Sequence, residues 1–483
     1  MRSFLCVLLC ALGLHIASTL ALQSFPSKPR VFILSDISNE PDDAESLVRY
    51  LLYSNQFQTE GIVAVTSTWL KDEVHPEDMR TVIEAYGKVV DNLNQHAPED
   101  SPYPTAEHLL SILKTGPTTY GMSAVNKATP LSTGAQLLLS RLETPSPDPL
   151  WVLAWGGTNV LAQALFHIHS NNPPSKAAEL RARLRVYTIS DQDDSGAWIR
   201  HTYPDISYIA SVHGWNLYGL SAWAGISGEA YYGFDHGGPD SSLVSHGWIR
   251  ENIQRGPLGA VYPDYKFIVE GDTPSFLYLV QNGLGVPENP EYGSWGGRYT
   301  LVNPGGEGYN HYADAADTVE SRNRSYVSNQ ATIWRWRDAF QNDFAARIQW
   351  TLDGEGGNHH PEIEVNGTRG LEPLAVDVVA GRTVVFDAAR TTDPDGHALR
   401  FRWFQYREPS ATEWNTDRDV PRLTVVPVGA AGETVRVRVP AAAEACDLEG
   451  GECRVLHLVL EVTDDGSPSL TTYRRVLIQV VKS

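Results

Sequence analysis

Sulfur and positive charge are both scarce in this 483-residue chain. It holds 4 cysteines and 3 methionines, which excludes a disulfide-dense scaffold and a multi-cysteine zinc fold. Lys and Arg number 38 against 58 Asp and Glu, a formal net charge of −20. Such an acidic chain is not built to bind a nucleic acid polymer or an anionic membrane surface. No apolar run of spanning length follows the N-terminal stretch, so no transmembrane helix is expected. Internal repeats and low-complexity tracts are missing as well. Nothing in the sequence specifies an oligomeric state.

The N-terminus has the form of a secretory signal over residues 1–22: Arg2, an apolar core from Phe4 to Leu14, then Ala17, Ser18 and Ala21 near a cleavage site. Secretion to the extracellular space is therefore expected. Cys6 and Cys10 would leave with the signal. Cys446 and Cys453, flanking an acidic Gly-rich loop, are expected to pair in an oxidising compartment. Asn323-Arg-Ser and Asn366-Gly-Thr are glycosylation sequons.

Length and pattern call for two domains. Over residues 23–353, short apolar runs alternate with helical ones. Strands are expected at Val31–Leu34, Glu60–Val65, Leu150–Trp155, Leu184–Ile189, Ile206–Ile209 and Tyr265–Val269. Helices are expected at Ala44–Ser54, Pro76–Asn94, Ala106–Leu113, Gly134–Leu142, Asn159–His169, Pro274–Gln281 and Ser328–Trp350. This succession implies an α/β domain with a doubly wound, mostly parallel sheet. Residues 283–325 read as a long ordered loop, rich in Gly, Pro and aromatics. A Gly-rich hinge, 354–361, leads to short β-branched runs separated by the turns Asp393-Pro-Asp-Gly and Asp464-Asp-Gly-Ser-Pro. Residues 362–483 therefore read as an all-β, antiparallel sandwich of immunoglobulin-like size, with Trp403 in its core.

Three segments carry chemistry. In the first, the run Val31–Leu34 ends in Ser35-Asp36-Ile37-Ser38-Asn39-Glu40-Pro41-Asp42-Asp43, and a helical pattern follows. An N-cap needs one carboxylate; this loop carries Asp36, Glu40, Asp42 and Asp43. Acids this close repel one another unless something compensates, and the simplest compensators are a hard metal ion or a substrate rich in hydroxyls. The second, Trp155-Gly-Gly-Thr-Asn159, ends a buried strand and opens a helix. Its glycines allow close backbone approach. In the third, Glu270-Gly-Asp272-Thr-Pro274 delivers carboxylates before a helix start.

These segments resemble the nucleoside hydrolase family, whose opening motif is Asp-x-Asp-x-Gly-x-Asp-Asp. Asp36 falls on its first acid and Asp42-Asp43 on its terminal pair, while Ser38 and Glu40 replace its second Asp and its Gly. The wording is more similar to a secreted nucleoside hydrolase-like family of proteins named as cellulose-binding. The resemblance implies a calcium site made from Asp36, Asp43, the Trp155 carbonyl and Asp272. It also implies a catalytic set of Asp36, Glu40 and Asp42, because the family's base position is Ser38. Substrate contacts are expected from Asn39, Asn159, Glu270 and the loop Asp191-Gln192-Asp193-Asp194 with Trp198, and from Trp295 and His311 in the long loop.

The function implied is a secreted, calcium-dependent hydrolase of glycosyl bonds acting on a glycan or glycoside. Two alternatives stay open. One is a carbohydrate (cellulose)-binding protein with a degenerate hydrolase site. The other is an extracellular nucleoside N-glycosidase.

Overall fold

The computed structural model describes residues 22, 24–25, 27–212, 217–227, 240–302, 308–352, 356–411 and 417–482. Residues 1–21 of the expected signal segment, Cys6 and Cys10 among them, lie outside these residues, as does the start of the expected hinge.

The α/β domain is built on one eight-stranded sheet: β1 (Arg30–Ser35), β2 (Gln58–Ala64), β3 (Leu113–Thr115), β4 (Leu150–Ala154), β5 (Leu184–Thr188), β6 (Ser207–Ala210), β7 (Tyr299–Leu301) and β8 (His311–Asp314). Their order is β3-β2-β1-β4-β5-β6-β8-β7, with every pair parallel except β7–β8. The continuous apolar run of β1 explains its central place. Val31 and Ile33 enter the core on one face of the sheet, and Phe32 and Leu34 the core on the other. A strand buried on both faces has no polar side to show.

Order reverses between β1 and β4, so the loops after these strands open on a common crevice at the C-terminal edge. Helix Asp42–Tyr53 starts directly after the β1 loop, with Asp42, Asp43 and Glu45 in its first turn. Asp42 Oδ1 accepts from the Asp43 N–H at 3.1 Å at this helix start, where a negative charge is favoured.

The structure departs from the sequence expectations in several places. Tyr265–Val269 forms no strand. Its backbone donors are already engaged by side chains, Val269 N–H by Ser227 Oγ at 2.8 Å and Glu270 N–H by Glu45 Oε2 at 2.8 Å. The hairpin β7–β8 takes the sheet edge instead, so the expected long loop supplies strands. Helix Pro274–Leu277 is a single turn, Pro76–Asn94 breaks after Gly87, and Ser328–Trp350 splits into Ala331–Trp334 and Arg337–Gln349. Leu113, expected to end a helix, begins β3.

The C-terminal domain packs a four-stranded sheet against a three-stranded one. The first contains Leu374–Val379, Thr471–Val481, Val455–Asp464 and Leu399–Tyr406; the second Thr383–Asp387, Thr434–Arg438 and Thr424–Pro427. Leu374–Val379 pairs with Thr471–Val481 in parallel, so the sandwich is not wholly antiparallel. Trp403 is half-buried and stacks on Phe386, with ring centroids 5.9 Å apart. Cys446 and Cys453 are joined by a disulfide. Asn323 and Asn366 are exposed, both in turns at positive φ.

The two domains share a core. Tyr406 and Tyr473 of the sandwich belong to the same buried cluster as Trp295, Trp336 and Phe340. At its centre Asp317, wholly buried, accepts from Arg298 Nε at 2.7 Å, Arg335 Nη1 at 2.7 Å and Tyr406 Oη at 2.6 Å. Burial alone would raise this carboxyl, but Arg298 and Arg335 hold it below its ordinary value. Asp317→Ala strands two buried guanidinium groups and is expected to lower stability by about 3–5 kcal/mol. Urea unfolding of the full chain checks this; a loss under about 1 kcal/mol would show that the ion cluster is not what ties the domains.

Candidate acidic site

The loop after β1 turns sharply. Asn39 N–H reaches back to the Asp36 carbonyl at 3.2 Å, and Ser38 sits at φ 81°. That turn brings Asp36, Asn39, Glu40, Asp42 and Asp43 to one cleft, closed by Trp155 from β4, by Ile189, Ser190 and Gln192 after β5, and by Ile268, Gly271 and Asp272. The cleft is about 590 Å³ with its open mouth included. One carboxylate oxygen from each of Asp42, Asp43 and Asp272 lies within 4.8 Å of the others. Sequence reasoning assigned Asp36, not Asp42, to that trio. Asp36 lies beside it, buried, with Oδ2 unpartnered; Oδ2 of buried Asp272 is unpartnered too.

Glycine makes the packing possible. A Cβ on Gly156 would lie 2.7 Å from Asp36 Oδ1, and one on Gly271 would lie 2.8 Å from Asp42 Oδ2. The backbone after β4 thus passes directly over the carboxylates, the close approach that only glycine allows. Ser35 donates from its hydroxyl to Asp43. The Trp155 ring is buried, held by its Nε1–H donated to Ser275 Oγ at 2.8 Å, while its carbonyl accepts from Gln192 Nε2. A carbonyl has a second lone pair, so this bond leaves one acceptor position.

Electrostatics follow from burial without a counter-charge. No Lys or Arg lines the cleft among the described residues. Burial, reinforced by the Glu40 and Asp36 charges, pushes Asp42 up to about 8. Burial pushes Asp36 up to about 6. Asp43 and Asp272 are raised well above the carboxylate range by burial and then by their neighbours. Glu40, half-buried, is raised by burial against the opposing pull of Lys266. A set of oxygen donors this dense, two of them unpartnered, fits a hard divalent cation, which takes six to eight oxygens from carboxylates, carbonyls and water.

Other expected contacts lie elsewhere. Ser38 leaves the cleft and donates from Oγ to Asp78 Oδ2 at 2.5 Å. Glu270 is buried in an ion pair with Arg49 at 2.8 Å and accepts from Tyr262 Oη at 2.8 Å, so it holds the fold. Asn159 donates to Thr66 Oγ1 and the Thr119 carbonyl, bracing the loops after β2 and β4. Asp193 caps helix Asp194–Thr202, Asp194 accepts from Met122 N–H, and Asp191 pairs with Arg200. Trp198 packs edge-on against Tyr203. Trp295 is buried between the domains, donating to Tyr473 Oη at 3.4 Å. His311 lies on β8 against Tyr208, its imidazole pushed down to about 4 by burial and by Arg200. Of the expected substrate contacts, only Asn39 and Gln192 line the cleft.

Two lining residues escaped sequence reasoning. Trp69, 55% exposed, stands at the rim, and Trp223 lies buried in the wall. Trp69 follows the end of β2 and could have been found as the next loop on the same sheet edge. Trp223 comes from an irregular stretch with no local signal.

A family profile described as "Cellulose-binding Sde182, nucleoside hydrolase-like domain" matches residues 30–299, and a second, "Cellulose-binding protein Sde0182, C-terminal domain", matches residues 383–480. The chain belongs to the cellulose-binding Sde182 family with its nucleoside hydrolase-like domain. Among solved structures it is similar to a nucleoside hydrolase-related hypothetical protein from Saccharophagus degradans described as associated with carbohydrate metabolism. Identity is 29% and the TM-score 0.75, covering 94% of this chain and 100% of that one. The effector protein XOO4466 matches at 12% identity and a TM-score of 0.32 over 68% of this chain and 95% of its own, too low to carry an argument. No curated protein matches the chain.

The raised carboxyls fix a pH dependence. Their folded values lie above the unfolded value of 3.8, up to about 8 for Asp42. Protonation therefore favours the folded state, and that contribution is full below about pH 4 and lost as pH rises toward 8. The melting temperature in a chelator is expected to fall between pH 5 and pH 8, and to fall less in Asp43→Asn. An identical slope in wild type and Asp43→Asn, measured by scanning calorimetry, would show that the acidic cluster does not set it.

Proposed function

We propose that the chain is a secreted hydrolase of glycosyl bonds that acts on a glycan or glycoside and requires calcium. The observation that carries this reading is the cleft itself: five lining carboxylates, with unpartnered buried oxygens on Asp36 and Asp272, beneath an exposed Trp69 ring. Asp42, Asp43 and Asp272 would hold the ion, with the free lone pair of the Trp155 carbonyl. Calcium supplies positive charge that binds sugar hydroxyls and makes a water easier to deprotonate.

The chain's residues do the rest. Trp69 offers an apolar face on which a sugar ring can stack. Asn39 and Gln192 offer amide groups to hydroxyls. Glu40 is the base: it lines the cleft and is half-buried, and burial raises its carboxyl, which makes it a stronger proton acceptor than a free carboxylate. Family membership supports a carbohydrate ligand, since the profiles bear the name cellulose-binding. Secretion rests on the N-terminal sequence.

One observation favours a second reading, carbohydrate binding without turnover. Ser38, at the base position of the hydrolases this domain resembles, points away toward Asp78.

Glu40→Gln separates the two. If the hydrolase reading holds, calcium-loaded wild type releases reducing sugar in a screen of plant-wall glycans and glycosides. Glu40→Gln then loses about 10²–10⁴-fold in kcat and keeps its affinity for the same ligand. Ligand binding without sugar release by wild type selects the binding reading. Free base released from inosine or uridine would make it a nucleoside N-glycosidase.

A further inference from the structure

The turns Asp393-Pro-Asp-Gly and Asp464-Asp-Gly-Ser-Pro remain unused by this function, and the sandwich brings them together beside the hinge. One ligand atom from each of Asp393, Asp395 and His397 lies within 4.8 Å of the others. Asp393 is 5% exposed. Its Oδ1 accepts from the backbone N–H groups of Asp395 and His397, both at 2.9 Å, and its Oδ2 has no partner.

Asp464, 4% exposed, comes from the second turn. Its Oδ1 is saturated by Asn358 Nδ2 at 2.9 Å, Gly466 N–H at 2.9 Å and Leu470 N–H at 3.0 Å, and its Oδ2 has no partner. The Asp393 carboxyl is raised by burial, and Asp464's charge adds to the rise. Two buried carboxylates therefore act on each other, each with one saturated and one vacant oxygen. The His397 ring is turned to this pair, with Nδ1 at 3.6 Å from Asp393 Oδ1 and no hydrogen bond. Orphaned buried acceptors are costly, and the unpartnered Oδ2 of Asp393, clustered with the Asp395 carboxylate and the His397 imidazole, forms a ligand set with the Asp464 charge nearby.

We propose that Asp393, Asp395 and His397, closed by Asp464, form a second divalent-cation site, separate from the acidic cleft, that fastens the sandwich to the α/β domain. An imidazole in the ligand set favours zinc over calcium. The fastening runs through Asp395. Its carboxylate accepts from His359 N–H at 2.7 Å and lies 3.0 Å from His359 Nδ1. The other nitrogen of that ring is 3.2 Å from Nδ1 of His96 in the α/β domain, and both rings stack on Trp350. Asp464 holds Asn358 in the same way. An ion here orders the carboxylates that grip the hinge, as outer contacts orient the ligands of metal sites generally.

The test uses the full chain, stripped with chelator and returned to excess calcium so that the acidic cleft is filled. Zinc is then titrated calorimetrically, and melting is followed with and without zinc. The expected result is one zinc equivalent and a raised melting temperature in wild type and in Asp43→Asn, both lost in Asp393→Asn and in His397→Gln. The His397 ring is about a third exposed, so His397→Gln keeps the test open if Asp393→Asn fails to fold. No zinc uptake by wild type, uptake unchanged in His397→Gln, or an Asp393-dependent equivalent of calcium in place of zinc would each overturn the assignment. Loss of zinc in Asp43→Asn would mean that the ion sits in the cleft.

Discussion

The mutual repulsion of buried carboxylates is the constraint to which this molecule is built. Asp36, Asp42, Asp43 and Asp272 share a cleft that no Lys or Arg lines among the described residues. Such a group costs stability as it ionises, and strongly perturbed carboxyls gathered in a cleft are characteristic of functional sites. Everything around the cleft serves to hold the acids in place. A strand buried on both faces fixes Asp36, a helix start fixes Asp42 and Asp43, and Gly156 and Gly271 let backbone pass where a Cβ would strike a carboxylate.

Two buried carboxylates elsewhere are matched by counter-charges. Asp317 is satisfied by Arg298, Arg335 and Tyr406, and Glu270 by Arg49 and Tyr262. These clusters are closed and serve architecture: one joins the domains, the other fixes the segment that presents Asp272. The contrast with the cleft is one of counter-charge: these two carboxylates face guanidinium groups, and the cleft acids do not.

The same contrast explains what could be read in the sequence. Asp36, Asp42 and Asp43 were legible because strand, loop and helix are contiguous there, and local pattern fixes their relative placement. Asp272 was legible as a carboxylate before a helix start, although the strand expected to carry it does not exist. Sheet-edge membership is decided by distant partners, and β8 won that place. Glu270 pairs with Arg49 outside the cleft, and a carboxylate after an apolar run looks the same whether or not an arginine lies opposite. Asp191, Asp193 and Asp194 looked like a sugar-binding loop, yet each finds a local partner in the fold. Trp223 reaches the cleft from a segment whose approach is purely tertiary, while Trp69 sits in the loop after β2 on the same sheet edge. The mostly parallel sheet and the following β domain were visible in periodicity; the parallel pairing of the first sandwich strand with the last was not.

Completion of the acidic cleft by a cation is the central proposal for this molecule. A calorimetric titration of calcium into the chelator-stripped full chain, with Asp272→Asn alongside, tests it most directly. One equivalent taken up by wild type at the cleft and lost in Asp272→Asn is the predicted result. Absence of binding, or binding that Asp272→Asn leaves unchanged, would contradict it.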